Sequence, residues 1–397
     1  MSILITNALR ETIIVVVVLL FAIVASARRT KDHSFFSPQT TTELKGLAIL
    51  MVVFSHIGYF LVSDHRFLVP LSNYAGLGVD LFLILSGYGL VAAALQRPVS
   101  IGKFYLKRLG RVYLPVLATV VFFLLLDFFF LHRTYPVKTI LENILGFFPQ
   151  ADVYGDLNSP LWYITPLLVY YFLFPIIFKS SERIGNLFTI PSERRKYLSI
   201  FWRRFPLLSA IAMVAIGWLI IGRILQLNIF SEVVLKLYKL HFLALPLGMA
   251  MGALINQSPV FIAKTASWFS GLLKKHHLAA ILRWVLIVLA GSILVYNYYH
   301  PSVGEGWKKE SAASLFSAIA IIALFLFKKI DFKILSIFGL FSFEIYLLHW
   351  PLLSRYNFLY GKIPAGMATF IYLALLLGIG YLYHKATKKF FRLTTSA

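Results

Sequence analysis

The sequence predicts an all-α membrane protein, a polytopic bundle of about eleven transmembrane helices. Two observations indicate this fold class. Of the 397 residues, 59% are hydrophobic and only 14% are charged, and the mean hydropathy is +0.79. A soluble protein of ordinary composition carries about 25% charged residues. The apolar residues also gather into runs of about 20, the length at which a helix crosses a bilayer.

The apolar runs follow one another with short polar connections between them. None of these connections is long enough to form a soluble catalytic domain, although those at 132–159 and 179–204 have room for a short amphipathic helix. The predicted spans lie at roughly 10–27, 44–63, 77–96, 112–131, 160–178, 205–225, 238–255, 279–299, 311–328, 334–354 and 364–386.

The distribution of lysine and arginine predicts the orientation of the bundle. Arg28 and Arg29 follow the first apolar run instead of preceding it, which favours an uncleaved anchor over a signal peptide. Most of the 38 Lys and Arg residues then fall in every second connection, as expected for the cytoplasmic side. We therefore expect an extracytoplasmic N-terminus, a cytoplasmic C-terminus and an odd number of spans.

Charge and cysteine content exclude several classes of function. A net charge of +22 would suggest nucleic-acid binding if the charges formed one patch. They form small clusters between the spans instead, so the expected partner is the lipid bilayer and not a nucleic acid. The chain has no cysteine, which excludes disulfides, a thiolate nucleophile and a cysteine-bound metal. No histidine pair has the spacing of a zinc protease, and we expect no metal site.

Lys45 and His56 are the first candidates for chemistry. They are eleven residues apart in the second predicted span, close to three helical turns, so they share a face about 16 Å apart along the axis. Lys45 would lie at the cytoplasmic mouth, where a lysine suits a phosphate, and His56 past the midplane, where a histidine suits proton transfer. The alternative is that Lys45 is one more topology-setting charge and His56 a hydrogen-bonding residue between helices.

A basic run precedes the fourth span. Lys107, Arg108 and Arg111 stand at helical spacings of three and four residues, which makes a basic face suited to phosphate groups. Contact with lipid headgroups explains the same charges equally well. Only the expected closeness to Lys45 favours a nucleotide-bearing ligand.

Polar residues within the spans are costly in hydrocarbon and are candidates for that reason. Asp80 opens the third span and could orient a histidine or bind an acceptor hydroxyl, although an acid there also suits the helix dipole. Ser86 follows it, beside glycines that permit close approach of helices. Glu344 and His349 lie in the tenth span. Asp127, near the outer end of the fourth span, is expected at the interface.

Five segments together resemble the integral membrane acyltransferase family 3. The first resembles the family's basic-x10-His signature, which Lys45 and His56 would form here. The others match its next helix, its basic loop and two later blocks, in the same order. The segments are 43–48 with His56, 78–88, 107–115, 161–175 and 342–351. The resemblance covers 44–386 as a ten-helix domain. It leaves 1–43 as an additional helix with a basic linker and 387–397 as a basic tail.

The resemblance implies transfer of an acyl group, usually acetyl, from cytoplasmic acyl-CoA to a carbohydrate hydroxyl across the membrane. Acyl-CoA would be a donor substrate, with no permanently bound cofactor. His56 would be the catalytic base, and Asp80 or Glu344 would supply the acid. The remaining expected roles are donor binding by Lys45, Lys107, Arg108 and Arg111, and acceptor binding by Ser86, Trp162, Tyr163 and His349.

The sequence departs from the family pattern at two places. Lys45 stands where arginine is usual, which keeps the charge and loses the planar fork. Leu167 and Leu168 stand where many members have two glutamates, so Asp80 or Glu344 is expected to take that role.

Two other classes of function fit a polytopic membrane protein. A transporter or exporter of a polysaccharide would line its pathway with the buried charges, although the sequence shows neither paired repeats nor broken helices. A scaffolding membrane subunit would leave the spacing of Lys45 and His56 unexplained. The expected location is the plasma membrane, with a carbohydrate or glycolipid as the acceptor.

Overall fold

The computed structural model describes residues 3–30, 36–187, 205–224, 229–257, 306–328 and 330–395, with isolated helical residues between 281 and 296. Helices dominate this part of the chain. Numbered in chain order, they are α1 (Ala8–Ala25), α2 (Pro38–Ser55), α3 (Ala75–Gln96), α4 (Ile101–Arg108), α5 (Leu114–Leu131), α6 (Val137–Ile144), α7 (Ile164–Leu187), α8 (Phe205–Ile224), α9 (Glu232–His241), α10 (Ala244–Gln257), α11 (Trp307–Phe327), α12 (Lys333–Leu340), α13 (Ser342–Ser354) and α14 (Ala365–Thr395).

The structure confirms an all-α polytopic membrane protein. Among the described residues, nine helical stretches are long and apolar enough to cross a membrane, and one bent pair makes a tenth. Each of the ten coincides with a predicted span. Of the predicted span at 279–299 the structure describes isolated helical residues, and most of the connection at 179–204 lies outside the described residues. The short helix α6 lies in the connection at 132–159, where room for one was predicted.

The tenth predicted span, 334–354, is not one continuous helix. It consists of α12 and α13, which meet at an angle of 75° around Phe341. A hydropathy window averages over a break of a single residue, so the sequence analysis could not detect it. The bend directs α13, which carries His349, towards the end of α2.

Two irregular helical turns continue from regular α-helices, one within the second predicted span and one at the start of the fourth. The end of α2 continues as a π-helix over His56–Leu61, and a second π-helix, Leu109–Tyr113, joins α4 to α5. The fourth span is therefore longer than the predicted 112–131, because α4 leads directly into it. Such π turns often occur at functional sites.

The prediction of a purely helical chain misses one small sheet. Strand β1 (Ala27–Arg29) pairs antiparallel with β2 (Ile330–Phe332), and this ribbon joins the end of α1 to the start of α12. The buried carboxylate of Glu11, in α1, also accepts a hydrogen bond of 2.9 Å from the backbone N–H of Gly366 in α14. The additional helix α1 is thus attached to the rest of the bundle at both its ends, to α14 near its start and to the segment before α12 at its end.

Helix α2 lies at the centre of the bundle, in contact with α3, α12 and α13. Glycines allow the backbones to approach: a Cβ atom on Gly46 would lie 1.8 Å from the carbonyl oxygen of Leu335 in α12. Across α3 and α10, a Cβ on Gly87 would lie 2.1 Å from the carbonyl oxygen of Leu245. Small residues of this kind permit tight packing of helices in membranes. The crossing at Gly46 fixes the position of its neighbour Lys45.

Candidate active site

His56 lies at the junction between the α-helical and π-helical parts of its span. Its Nδ1 is 2.8 Å from the carbonyl oxygen of Val52, one turn earlier. The same Nδ1 is 3.2 Å from Nε2 of His349 in α13, with the two ring centroids 4.8 Å apart. The structure therefore brings together two histidines that are 293 positions apart in the sequence.

The hydrogen bonds of His349 determine where the protons of this histidine pair lie. His349 is fully buried, and its Nδ1 faces the carbonyl oxygens of Tyr346 at 2.8 Å and Ile345 at 3.2 Å. Carbonyl oxygens only accept hydrogen bonds, so Nδ1 carries the proton and Nε2 of the neutral ring accepts. His56 therefore donates from Nδ1 and keeps a lone pair on Nε2.

The free Nε2 is the chemically important atom of the pair. Within the described part of the chain it has no hydrogen-bond partner. A neutral imidazole with one nitrogen held as donor and the other unoccupied is the arrangement of a general base. The geometry thus makes His56, and not the enclosed His349, available to a substrate.

Aromatic side chains surround His56 on the remaining sides. The ring of Trp350 lies 5.3 Å from it and that of Phe60 lies 5.6 Å from it, between centroids. Trp350 is itself held by a hydrogen bond of 2.9 Å from its Nε1 to the carbonyl oxygen of Val153. The imidazole of His56 consequently lies among apolar rings.

Pro351 explains how α13 is connected to the segment before α7. Proline has no N–H, so the carbonyl oxygen of Leu347, one turn earlier, loses its helical donor. Asn158 replaces that donor through its Nδ2, at 2.8 Å. A second contact follows nearby, since the hydroxyl of Tyr346 donates to the carbonyl oxygen of Pro160. These bonds hold the helix that carries His349.

The four basic residues expected to bind the donor, which we call the basic cluster, lie in two segments: Lys45 in α2, and Lys107, Arg108 and Arg111 in α4 and the π-helix that follows it. Arg108 acts electrostatically on Lys45, and its guanidinium lies 4.4 Å from the ring centroid of Tyr171. Arg108 and Arg111 both lie close enough to Lys107 to repel its positive charge. Among the described residues, no carboxylate forms an ion pair with any of these four.

The nearest acid in the sequence does not neutralise this basic cluster. Glu43 is fully buried and forms an ion pair of 2.5 Å with Lys328 and a hydrogen bond of 2.9 Å with Gln39. Glu43 therefore does not offset the positive charge of the basic cluster. Such a cluster suits an anion with several phosphate groups.

Neither carboxylate expected to assist His56 contacts it. The Oδ1 of Asp80 is 2.7 Å from Nδ1 of His241, and its Oδ2 accepts from Ser314 at 2.5 Å. The Oε1 of Glu344 is 2.6 Å from Nδ1 of His384 in α14. The structure gives both acids other histidine partners. His241 and His384 were absent from the predicted candidates, although each is a histidine within a predicted span, the signal that singled out His56.

The residues expected at the acceptor site lie between His241 and the pair formed by His56 and His349. Trp162 stacks on His241 at a centroid distance of 5.8 Å. Tyr163 lies next to it, against Tyr346 at 5.5 Å, and Ser86 interacts with its hydroxyl. His349, expected to bind substrate, is enclosed and hydrogen-bonded to His56 instead.

Asp127, expected at the interface, lies four residues before the end of α5 and is enclosed by other parts of the protein. Its side chain is fully buried and binds Arg355 at 3.2 Å, the hydroxyl of Tyr135 at 2.5 Å and that of Tyr356 at 2.7 Å. A buried carboxylate needs such partners, and those available come from the loops that follow α5 and α13. Asp127 therefore joins α5 to the loops at this end of the bundle.

Comparison with known proteins agrees with this fold. A bundle of long apolar helices defines a multi-pass membrane protein. Residues 44–385 match the model of acyltransferase family 3, described as an acyltransferase domain. The match covers most of the chain, so the protein belongs to this family and is a membrane acyltransferase. No curated protein and no solved structure matched the chain. Among the described residues, no group of three or more potential ligands could hold a metal ion.

Proposed function

We propose that this protein is an O-acyltransferase of the plasma membrane. It takes an acyl group, in the simplest case acetyl, from cytoplasmic acyl-CoA and transfers it to a carbohydrate hydroxyl on the far side. One observation carries the proposal: a single helix carries Lys45, which lies beside Arg108, and His56, whose Nε2 has no hydrogen-bond partner among the described residues. Ten residues of regular α-helix separate the two, which corresponds to about 16 Å between their positions along the axis.

The dimensions suit a thioester on a long, thin arm. The phosphates of acyl-CoA would bind Lys45, Arg108 and Arg111, and the pantetheine arm would extend along α2. The thioester would then lie near Nε2 of His56. The arrangement agrees with the N-out orientation inferred from the charges. In that orientation Lys45 and the donor's phosphates lie on the cytoplasmic side, and His56 lies past the midplane.

The reaction proceeds by direct attack. Nε2 of His56 removes the proton from the acceptor hydroxyl as its oxygen attacks the thioester carbonyl carbon. The new C–O bond forms and the C–S bond breaks. The proton then passes from His56 to the departing sulfur, which leaves as the thiol of CoA. His349 keeps its proton on Nδ1 throughout and, together with the carbonyl oxygen of Val52, holds His56 in the reactive tautomer.

Labelled acetyl-CoA distinguishes this enzyme from a transporter. We expect the purified protein, reconstituted in vesicles with membrane glycolipids, to release CoA and to leave the label on carbohydrate. Acceptor movement across the vesicle membrane with neither CoA release nor acyl transfer would instead favour an exporter. The position of the labelled carbohydrate, inside or outside the vesicles, tests the direction of transfer.

Substitution of the basic cluster should affect donor binding specifically. For Lys45→Ala and Arg108→Ala, we expect KM for acetyl-CoA to rise about tenfold or more, the loss of one charge-assisted hydrogen bond. Because the base is untouched, kcat should change little. Acetyl-pantetheine, which lacks the nucleotide, provides the control: its KM should be the same in wild type and variants. An equal rise for both donors would show that the cluster does not bind the nucleotide.

A further inference from the structure

One stretch of the connection before α7, residues 152–158, passes beside the aromatic rings around His56, and we call it the strap. Within the described chain it forms neither helix nor strand. Even so, each of its seven backbone carbonyl oxygens accepts a hydrogen bond, at 2.5 to 3.5 Å. Five of the seven accept from the side chains of Trp350, Arg133 and Arg355. Other parts of the protein therefore hold the strap along its whole length.

The main anchor of the strap is itself fixed. Arg355 donates from Nη1 to the carbonyl oxygen of Asp156 at 3.1 Å and from Nη2 to that of Leu157 at 2.5 Å. Its Nε binds the fully buried carboxylate of Asp127 at 3.2 Å. A segment that is already ordered loses little conformational entropy when it binds a ligand. The strap is thus preorganised for binding.

Tyr154 presents an aromatic ring from the strap. Its hydroxyl donates to the carbonyl oxygen of Phe60 at 2.5 Å, yet 51% of the residue is exposed. Its ring lies 6.4 Å from that of Trp350, which in turn lies 5.3 Å from that of His56. A tyrosine of the interfacial belt keeps its hydroxyl end in the wet headgroup layer. Here the hydroxyl is bound to the protein, so the ring is the part offered to a ligand.

Asp152 supplies a carboxylate close to this ring. Its Oδ1 accepts from the backbone N–H groups of Gly155 at 2.9 Å and Tyr154 at 3.0 Å. These two bonds lower the pKa of Asp152, so its side chain is ionised at neutral pH. Asp152 is exposed, and in the described part of the chain its Oδ2 has no hydrogen-bond partner. A free charged oxygen therefore lies beside the aromatic ring.

An aromatic ring next to a carboxylate is complementary to a carbohydrate. The C–H groups on one face of a sugar pack against the electron-rich face of an aromatic ring, and sugar hydroxyls donate to a carboxylate. Other ligands fit less well. A phosphate would be repelled by the charge of Asp152, and a hydrocarbon chain would remove water from it without replacing the hydrogen bonds.

We propose that Tyr154 and Asp152 form a carbohydrate subsite, which binds a sugar unit next to the one that receives the acyl group. Two ring contacts separate Tyr154 from His56, a distance that a short oligosaccharide spans. The place of this subsite in the acceptor site rests on the proposed function. The binding of sugar does not, because it depends only on the chemistry of the strap.

Photolabelling with a disaccharide lipid tests the subsite. Dodecyl maltoside carrying a diazirine on its terminal sugar is irradiated with the full-length protein in lipid nanodiscs, and dodecanol carrying the same diazirine is run in parallel. We expect the maltoside to label the peptide that contains the strap and the alcohol to label it far less. Equal labelling by the two probes would indicate ordinary contact with lipid and would overturn the subsite.

Three variants and a matched control separate the ring and the charge from the fold of the strap. Tyr154→Ala should lower maltoside labelling about tenfold, whereas Tyr154→Phe retains the ring and should label almost normally. Asp152→Asn keeps an oxygen for the two N–H groups and loses the charge, so labelling should fall about tenfold, the loss of one charge-assisted hydrogen bond. Phe358, in the loop after α13, is 52% exposed and is not part of the strap, so Phe358→Ala should label as the wild type does.

Failure of this inference is distinguishable from failure of the proposed function. Wild-type labelling of Tyr154→Ala would overturn the subsite even if acetyl-CoA is turned over. Sugar-specific labelling in a protein that transfers no acyl group would support the subsite and remove only its place in an acceptor site. In the active enzyme, Tyr154→Ala should raise KM for a maltoside acceptor and leave KM for acetyl-CoA unchanged.

Discussion

His56→Asn is expected to lower kcat for acyl transfer by about 10²- to 10⁴-fold, the usual contribution of a positioned general base. Asparagine retains a side-chain N–H near the position of Nδ1, so the bonds to Val52 and His349 can persist. It has no atom at the position of Nε2, the one that faces substrate. The measurement is the initial rate of label transfer from acetyl-CoA in membranes containing equal amounts of each protein.

A matched substitution controls for loss of a histidine as such. His65 is exposed in the loop after the π-helix, where its ring lies against that of Tyr59, so His65→Asn should transfer at the wild-type rate. Acyl-CoA binding to His56→Asn should remain normal, because Lys45 lies at the other end of the helix. A His56→Asn protein with wild-type activity would exclude His56 as the base.

His349 should act as a positioning residue, and its substitutions should separate into two groups. His349→Met removes one of the two acceptors that face Nδ1 of His56 and leaves the carbonyl oxygen of Val52, so we expect kcat to fall about tenfold, the effect of one net hydrogen bond on the orientation of the ring. His349→Gln keeps an oxygen that can accept, so most of the activity should return. In both variants KM for acyl-CoA should stay unchanged.

These kinetics distinguish positioning from a structural role. In His349→Met the Nδ1 of His56 still has the carbonyl oxygen of Val52 as an acceptor, so no buried donor is left unpaired. Thermal unfolding in detergent should accordingly shift little. A large loss of stability, or equal activity of the Met and Gln variants, would contradict the proposed role.

The sequence identified the parts of this site that depend on one helix. Lys45 and His56 lie on one α-helix, so their spacing follows from residue number alone. The partner of His56 did not follow, because its contact with His349 crosses 293 residues and depends on the bend at Phe341. A polar residue in a span indicates that it needs a partner and does not indicate which one.

The two acids illustrate the same limit. Asp80 and Glu344 were expected to supply the acid for His56 because Leu167 and Leu168 replace the two glutamates of the family pattern. Each buried acid does have a counterpart, as its cost in hydrocarbon requires. Their counterparts are His241, which is 161 residues from Asp80, and His384, which is 40 residues from Glu344. Packing of whole helices selects these pairs, and hydropathy carries no information about it. The spans themselves were predictable because an apolar run of sufficient length has few alternatives in a bilayer.

The position of the π-helix has a consequence for how the chain can vary. It begins only at His56, so the stretch from Lys45 to Ser55 remains regular α-helix. One residue inserted there would rotate the histidine by about 100° relative to the lysine and move it about 1.5 Å further away. The imidazole of His56 would then no longer face His349. Between Lys45 and His56, this helix can therefore tolerate substitutions far more readily than insertions or deletions.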